Sequence, residues 1–161
     1  MKLEEYKKKR DFRKTTEPKA EVKKSKDKPI YVVHKHWARR LHHDLRLEFD
    51  GVLKSWAIPK DPIEAKRKRI LAVEVEEHPI DYANFEGIIP EGNYGAGRVK
   101  IWDKGTFELI ERTKRSIVFK INGKKLKGVY ILFKFKEPNN WLFFRKKEVK
   151  NDNKKIPKKK A

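Results

Sequence analysis

HKHWARRLHHDLRLEFDG, residues His34–Gly51, decides how this chain is read. Four histidines, Asp44 and Arg46 lie within this stretch. From Leu41 onward the pattern has period two. Leu41, His43, Leu45, Leu47 and Phe49 fall on one side, and His42, Asp44, Arg46 and Glu48 on the other. That alternation predicts a half-buried strand, with its polar face built from groups that bind metals and phosphates. The preceding run IYVVHKH predicts a second strand, with His34 and His36 on one face and WARR as the turn between them. If the turn is tight, the strands pair, and facing side chains come within about 5 Å. His36, His42 and Asp44 then converge as a mixed nitrogen and oxygen donor set. Such a set suits manganese, iron or zinc used catalytically. The plainer alternative is a histidine-rich strand whose rings only hydrogen-bond. His43, on the apolar side, reads as a packed histidine.

The rest of the chain follows the same β pattern. Asp50-Gly51 predicts a hairpin turn into VLKSWAIP. RILAVEVEE is a further alternating strand, then HPIDYANFEGIIPEGNYGAG forms a long irregular loop. RVKIWDKG, TFELIER, SIVFKI, LKGVYILFKF and WLFFRKK continue as short strands, with Asn122-Gly123 as a turn. Their close spacing predicts an all-β, closed or nearly closed antiparallel barrel over 30–149. Residues 1–29 form a basic segment that opens with a short helix, LEEYKKKRDF, and continues as a Lys-rich strap over Lys19–Lys28. Residues 150–161 read as a basic disordered tail.

Composition narrows the partner. Of 161 residues, 43 are Lys or Arg and 23 are Asp or Glu, a net charge of +20. That surplus favours a polyanion, most simply nucleic acid, over the balanced Lys and Glu surface of a thermophilic protein. The absence of cysteine excludes disulfides, thiolate zinc sites and cysteine nucleophiles. No apolar run is long enough for a membrane span, and the charged N-terminus lacks a secretory signal's apolar segment. A cytoplasmic, non-membrane monomer is the expectation.

Outside the histidine strand, three features carry chemistry. Arg46 shares the face of His42 and Asp44, where it either grips a phosphate or pairs with a surface carboxylate such as Glu48. His78 and Tyr82 stand four apart in a segment that Pro79 keeps from being a continuous helix. They could donate to a leaving oxygen and a phosphoryl oxygen, or simply cap and pack. PEGNYGAG lacks the lysine and hydroxyl of a P-loop and is not read as a nucleotide cradle.

These motifs, in this order, resemble the phosphoesterase domain of bacterial DNA ligase D and its stand-alone archaeal relatives. The likeness runs from LEEYKKKRDF through HKHWARRLHHDLRLEFDGVLKSWAIPK and AVEVEEHPIDYANFEGIIPEGNYGAG to NWLFFRKK. It implies a compact barrel with the active site in a crescent surface groove. The activity it implies is manganese-dependent removal of a 3′-terminal ribonucleoside, then hydrolysis of the 3′-phosphate to a 3′-hydroxyl. Other divalent transition metals could also serve. Metal ligands are implied at His36, His42 and Asp44, and catalytic or phosphate-contacting roles at Arg46, His78 and Tyr82. Arg10, Asp11 and Glu17 are implied in the site too, where composition alone suggests a disordered arm. The chain has no room for ligase or polymerase domains, so those activities are expected on separate partner proteins. It departs from the bacterial pattern at His34, where relatives often carry glutamine, and at His43 in LHHD. Ile70 also stands in place of an arginine, with Arg69 beside it as a possible substitute. The rival readings are a non-catalytic nucleic-acid-binding module and a barrel that recruits a ligase or polymerase.

Overall fold

The computed structural model describes residues 2–23 and 28–147. The proposed tail at 150–161 and part of the Lys-rich strap lie outside them. A five-residue helix, α1 (Glu4–Lys8), precedes nine strands: β1 (Ile30–Trp37), β2 (Leu41–Phe49), β3 (Val52–Ile58), β4 (Ile70–Pro79), β5 (Gly87–Ile89), β6 (Gly97–Arg112), β7 (Ser116–Asn122), β8 (Lys127–Lys136) and β9 (Asn140–Arg145). They form one antiparallel sheet in the order β1-β2-β3-β4-β9-β8-β7-β6-β5. β1 also pairs with β6, which closes eight strands into a barrel and leaves β5 outside. Closure removes the exposed sheet edges that invite aggregation. The all-β barrel with a short helical N-terminal segment is the architecture the sequence implied.

Period-two alternation sorts the side chains. Tyr31, Val33, Leu45, Leu47, Trp56 and Ile58 point into the barrel, where they meet Phe107, Phe119, Tyr130 and Phe143. Each fully buried large side chain contributes about 1.5–3 kcal/mol of hydrophobic stabilisation. A second cluster packs on the outside of β1 and β3, where Val32 and Leu53 meet Tyr6, Tyr82, Ile89 and Val99. This outer cluster seats the N-terminal segment. The β2–β3 hairpin turns at Asp50 and Gly51, both with positive φ (52° and 84°), as the Asp-Gly signal requires.

Two segments depart from the sequence reading. RVKIWDKG and TFELIER are one continuous strand, β6, rather than two. Gly105 does not break it. A Cβ there would sit 2.0 Å from the Asn122 carbonyl oxygen, so the glycine permits close approach of the neighbouring chain. The long loop after β4 is also more ordered than expected, with a 3-10 turn over Ile80–Asn84 and the short strand β5.

Gly105→Ala should therefore destabilise the barrel by at least about 1–3 kcal/mol through overpacking. Urea unfolding checks this; an unchanged midpoint would show that the β6–β7 contact relaxes freely.

Candidate functional site

The β1–β2 ladder sets His36 opposite His42 and His34 opposite Asp44. All four, with Arg46, point to the outer face of the barrel, away from the core. His36, His42, Asp44 and Arg46 floor a groove of about 960 Å³ that Arg10 and Glu17, Glu76 and His78 of β4, Tyr82 and the loop through Gly95 help to line. One nitrogen from each of His36 and His42 and a carboxylate oxygen of Asp44 lie within 4.8 Å of one another.

Backbone carbonyls decide which nitrogens face inward. His36 Nε2–H donates to the Gly95 carbonyl at 2.8 Å, which leaves the lone pair on Nδ1, 3.6 Å from Asp44 Oδ2. His42 Nδ1–H donates to the Arg40 carbonyl at 3.0 Å, which leaves the lone pair on Nε2, 3.3 Å from Asp44 Oδ1. Since a carbonyl can only accept, both tautomers are fixed for neutral rings. Three electron-rich atoms thus converge with no hydrogen between them. A proton or a cation must stand there, and outer hydrogen bonds of this kind orient the histidine ligands of metal sites. The donor set therefore fits a divalent metal.

The charges agree. Burial opposes ionisation of Asp44, but His36, His42 and Arg46 outweigh it and hold the carboxyl well below its usual range. For His42, burial works against the charged ring, and the contacts with Asp44 outweigh it and raise the pKa.

Arg46 is nearly fully buried and held on three sides. Its Nη1 donates to Ser55 Oγ at 2.9 Å, its Nε to His34 Nδ1 at 3.2 Å, and its Nη2 to Asp44 Oδ2 at 3.5 Å. It makes no surface pair with Glu48, whose carboxylate accepts from the Ile30 amide instead. His34 does not line the groove as an added ligand would. Its Nε2–H donates to the Phe85 carbonyl at 3.1 Å, and burial, then the Arg46 charge, pushes its pKa down to about 3. It is a neutral acceptor that fixes the guanidinium. His43 packs edge-on against Trp102, with both ring nitrogens unpartnered among the described residues.

The N-terminal segment completes the wall. Arg10 Nε lies 3.0 Å from Glu17 Oε1, and its Nη1 3.5 Å from Glu76 Oε2. The Tyr82 hydroxyl donates to Glu17 Oε2 at 2.6 Å. Burial, then the Glu17 charge, raises the Tyr82 pKa well above 10, so the phenol remains a donor. His78 packs edge-on to Tyr82 at 4.6 Å, and its Nδ1–H donates to the Glu76 carbonyl at 3.0 Å. Burial, then Arg46 and Arg10, holds His78 well below 6.5 and therefore neutral, with its lone pair on Nε2.

Of the nine residues named from sequence, eight line this groove. Asp11 does not: its carboxylate holds Arg13 at 3.1 Å. Arg69 stays out as well, its guanidinium carbon 4.9 Å from the Phe144 ring centroid, and so does not replace the arginine absent at Ile70. Ser55, Glu76 and Gly95 escaped the sequence reading. A shift of register between β3 and β4 after Leu53 places Glu76 and His78 together at the groove, which alternation alone could not show.

Replacing His42 or Asp44 with alanine should abolish tight divalent-metal binding, read by manganese titration followed by electron paramagnetic resonance. In the native protein, proton and metal compete for His42 Nε2. Since the His42 pKa is raised, affinity should fall about tenfold per pH unit below that pKa and level off above it. A pH-independent affinity would remove His42 from the centre.

Comparison with known proteins identifies the family of the chain. A family profile described as the DNA Ligase D 3′-phosphoesterase domain matches residues 34–134. A multifunctional non-homologous end joining protein LigD from Pseudomonas aeruginosa is 45% identical over 139 residues, covering 82% of this chain and 16% of that protein. The LigD of Mycolicibacterium smegmatis is 42% identical over 162 residues (93% of this chain, 21% of that protein). The LigD of Mycobacterium tuberculosis, also described as a DNA repair protein, is 40% identical over 154 residues (92% and 20%). The chain spans about a fifth or less of the length of these curated relatives. No helix among the described residues is long and apolar enough to cross a membrane. With the profile match covering most of its length, the chain belongs to the DNA ligase D 3′-phosphoesterase domain family.

Proposed function

We propose that this chain is a metal-dependent phosphoesterase that heals 3′ ends of DNA, removing a terminal 3′ ribonucleoside and then the 3′-phosphate it leaves. The observation that carries this reading is the convergence of three lone-pair atoms beside a buried, pre-oriented arginine. Together they match a phosphoryl group, which presents several anionic oxygens at once.

A divalent cation held by His36, His42 and Asp44, manganese being the expected one, would supply Lewis-acid charge for one phosphate oxygen. Arg46 binds another oxygen through guanidinium hydrogens that Ser55 and His34 leave available. Because His34, Ser55 and Asp44 hold it from three sides, it needs little reorganisation when phosphate arrives. Arg10 adds positive charge at the wall. Glu17 aligns Arg10 and the Tyr82 hydroxyl, and that hydroxyl turns toward a phosphoryl oxygen when the substrate offers a stronger acceptor.

His78 reaches the reaction neutral, with Nε2 as an acceptor. It takes a proton from the incoming phosphate monoester or from water, since the phosphate's negative charge offsets Arg46 and Arg10. It then returns that proton to the leaving oxygen as water's oxygen bonds to phosphorus and the old P–O bond breaks, the leaving oxygen being the ribonucleoside's 5′ oxygen in the first step and the 3′ oxygen in the second. The half-exposed Tyr94 ring at the groove rim offers a face on which the terminal base can stack. The net charge of +20 suits a nucleic-acid substrate, and ligase or polymerase proteins are the partners that would use the healed end.

A labelled primer-template ending in one 3′ ribonucleotide tests this reading. With manganese, it should shorten to a 3′-phosphate and then gain a 3′-hydroxyl; with chelator it should persist. Binding without product under every divalent metal would make the chain a binding or recruiting module. His78→Asn keeps hydrogen bonding without proton transfer and should lower kcat for phosphate release by about 10²–10⁴. An unchanged kcat would confine His78 to positioning.

A further inference from the structure

A dense set of cations outside the groove lies on the other side of the barrel. Lys66 to Arg69 before β4, Lys120 of β7, Lys127 of β8 and Arg145 to Lys147 after β9 surround a concavity of about 1200 Å³. Among the described residues, no aspartate or glutamate lines it. Among the described residues only Lys68 of this set has a carboxylate partner, Glu64 at 2.8 Å. The floor is apolar, formed by Val129, Ile131 and Phe144 on the outer face of β8 and β9.

The closed strand order β1-β2-β3-β4-β9-β8-β7-β6 sets this face across the barrel from the metal centre. The groove occupies β1, β2, β3 and the C-terminal half of β4. The concavity occupies the start of β4 with β9, β8 and β7. A short straight duplex whose 3′ end reaches His42 cannot also lie on that far side. Yet so many cations around one hollow, most without a carboxylate partner among the described residues, repel one another, and a polyanion relieves that repulsion. The regular spacing of phosphates along a backbone suits a dispersed set of lysines and arginines better than one compact anion would.

We propose that this face binds the phosphate backbone of a second nucleic-acid molecule, so that one chain holds two at once. One supplies its 3′ end to the groove, and the other lies across β7–β9. The proposal draws on the charge and placement of this face and needs no turnover, so it stands or falls apart from the catalytic reading.

The test uses two short blunt DNA duplexes, one biotinylated and one fluorescent, with the full chain in low salt and without metal. Capture of fluorescence on streptavidin reports bridging, and sedimentation reports stoichiometry. Wild-type protein should form complexes of one chain with two duplexes. Combined R69Q, K120Q, K127Q and R145Q should reduce capture at least tenfold, while one duplex still binds with wild-type affinity at the groove. The four side chains are exposed, so the melting temperature should hold and exclude misfolding. Binding of a single duplex by wild type, bridging only by two chains, or undiminished capture by the variant would each overturn the proposal.

Discussion

The antiparallel register of β1 on β2 is the constraint on which the rest depends. It sets His36 against His42 and His34 against Asp44, and the Gly95 and Arg40 carbonyls then fix which ring nitrogens face inward. The outcome is three electron-rich atoms gathered on a rigid sheet with no hydrogen among them. A one-residue slip would send all of these groups into the barrel and Leu45 and Leu47 out to solvent. The apolar interior therefore enforces the chemistry on the outside. Burial of Tyr31, Val33, Leu45 and Leu47 keeps the polar face where a metal can reach it.

The groove is also built to keep buried charge compensated. Arg10 faces Glu17 and Glu76, and Arg46 is shared among Asp44, Ser55 and His34. Unpaired, such groups would carry a large desolvation penalty. Here each cation is anchored by neighbours that leave part of its hydrogen-bonding capacity open to a ligand. His34 shows the logic well. A neutral ring accepts from Arg46 without cancelling its charge, whereas a carboxylate in that position would do so. The N-terminal segment belongs to the same network, which is why a short basic stretch packs Tyr6 against Tyr82 and His78 instead of extending into solvent.

Much of this was legible in the sequence because alternation is a local signal. The barrel class, the β1–β2 pairing and the convergence of His36, His42 and Asp44 follow from period two and one short turn. The packing of His43 against Trp102 follows from the same parity. Other features depend on distant contacts that no local pattern records. Gly105 resembles a strand breaker until the Asn122 backbone is known to lie against it. Glu76 enters the groove only through the register shift in β4, and Gly95 matters because its carbonyl meets a histidine far away in sequence. Arg10 and Glu17 were named from family resemblance, not from composition. The same resemblance named Asp11, which the structure turns toward Arg13.

The proposed chemistry depends on a metal held by His36 Nδ1, His42 Nε2 and an Asp44 oxygen. Anomalous diffraction from crystals soaked in manganese tests this most directly. One strong peak is expected at ligand distance from those three atoms, with the Gly95 and Arg40 carbonyls still receiving the opposite ring hydrogens. No peak there at saturating manganese, or a peak bound only elsewhere, would contradict that chemistry and leave the cluster as a hydrogen-bonded histidine face.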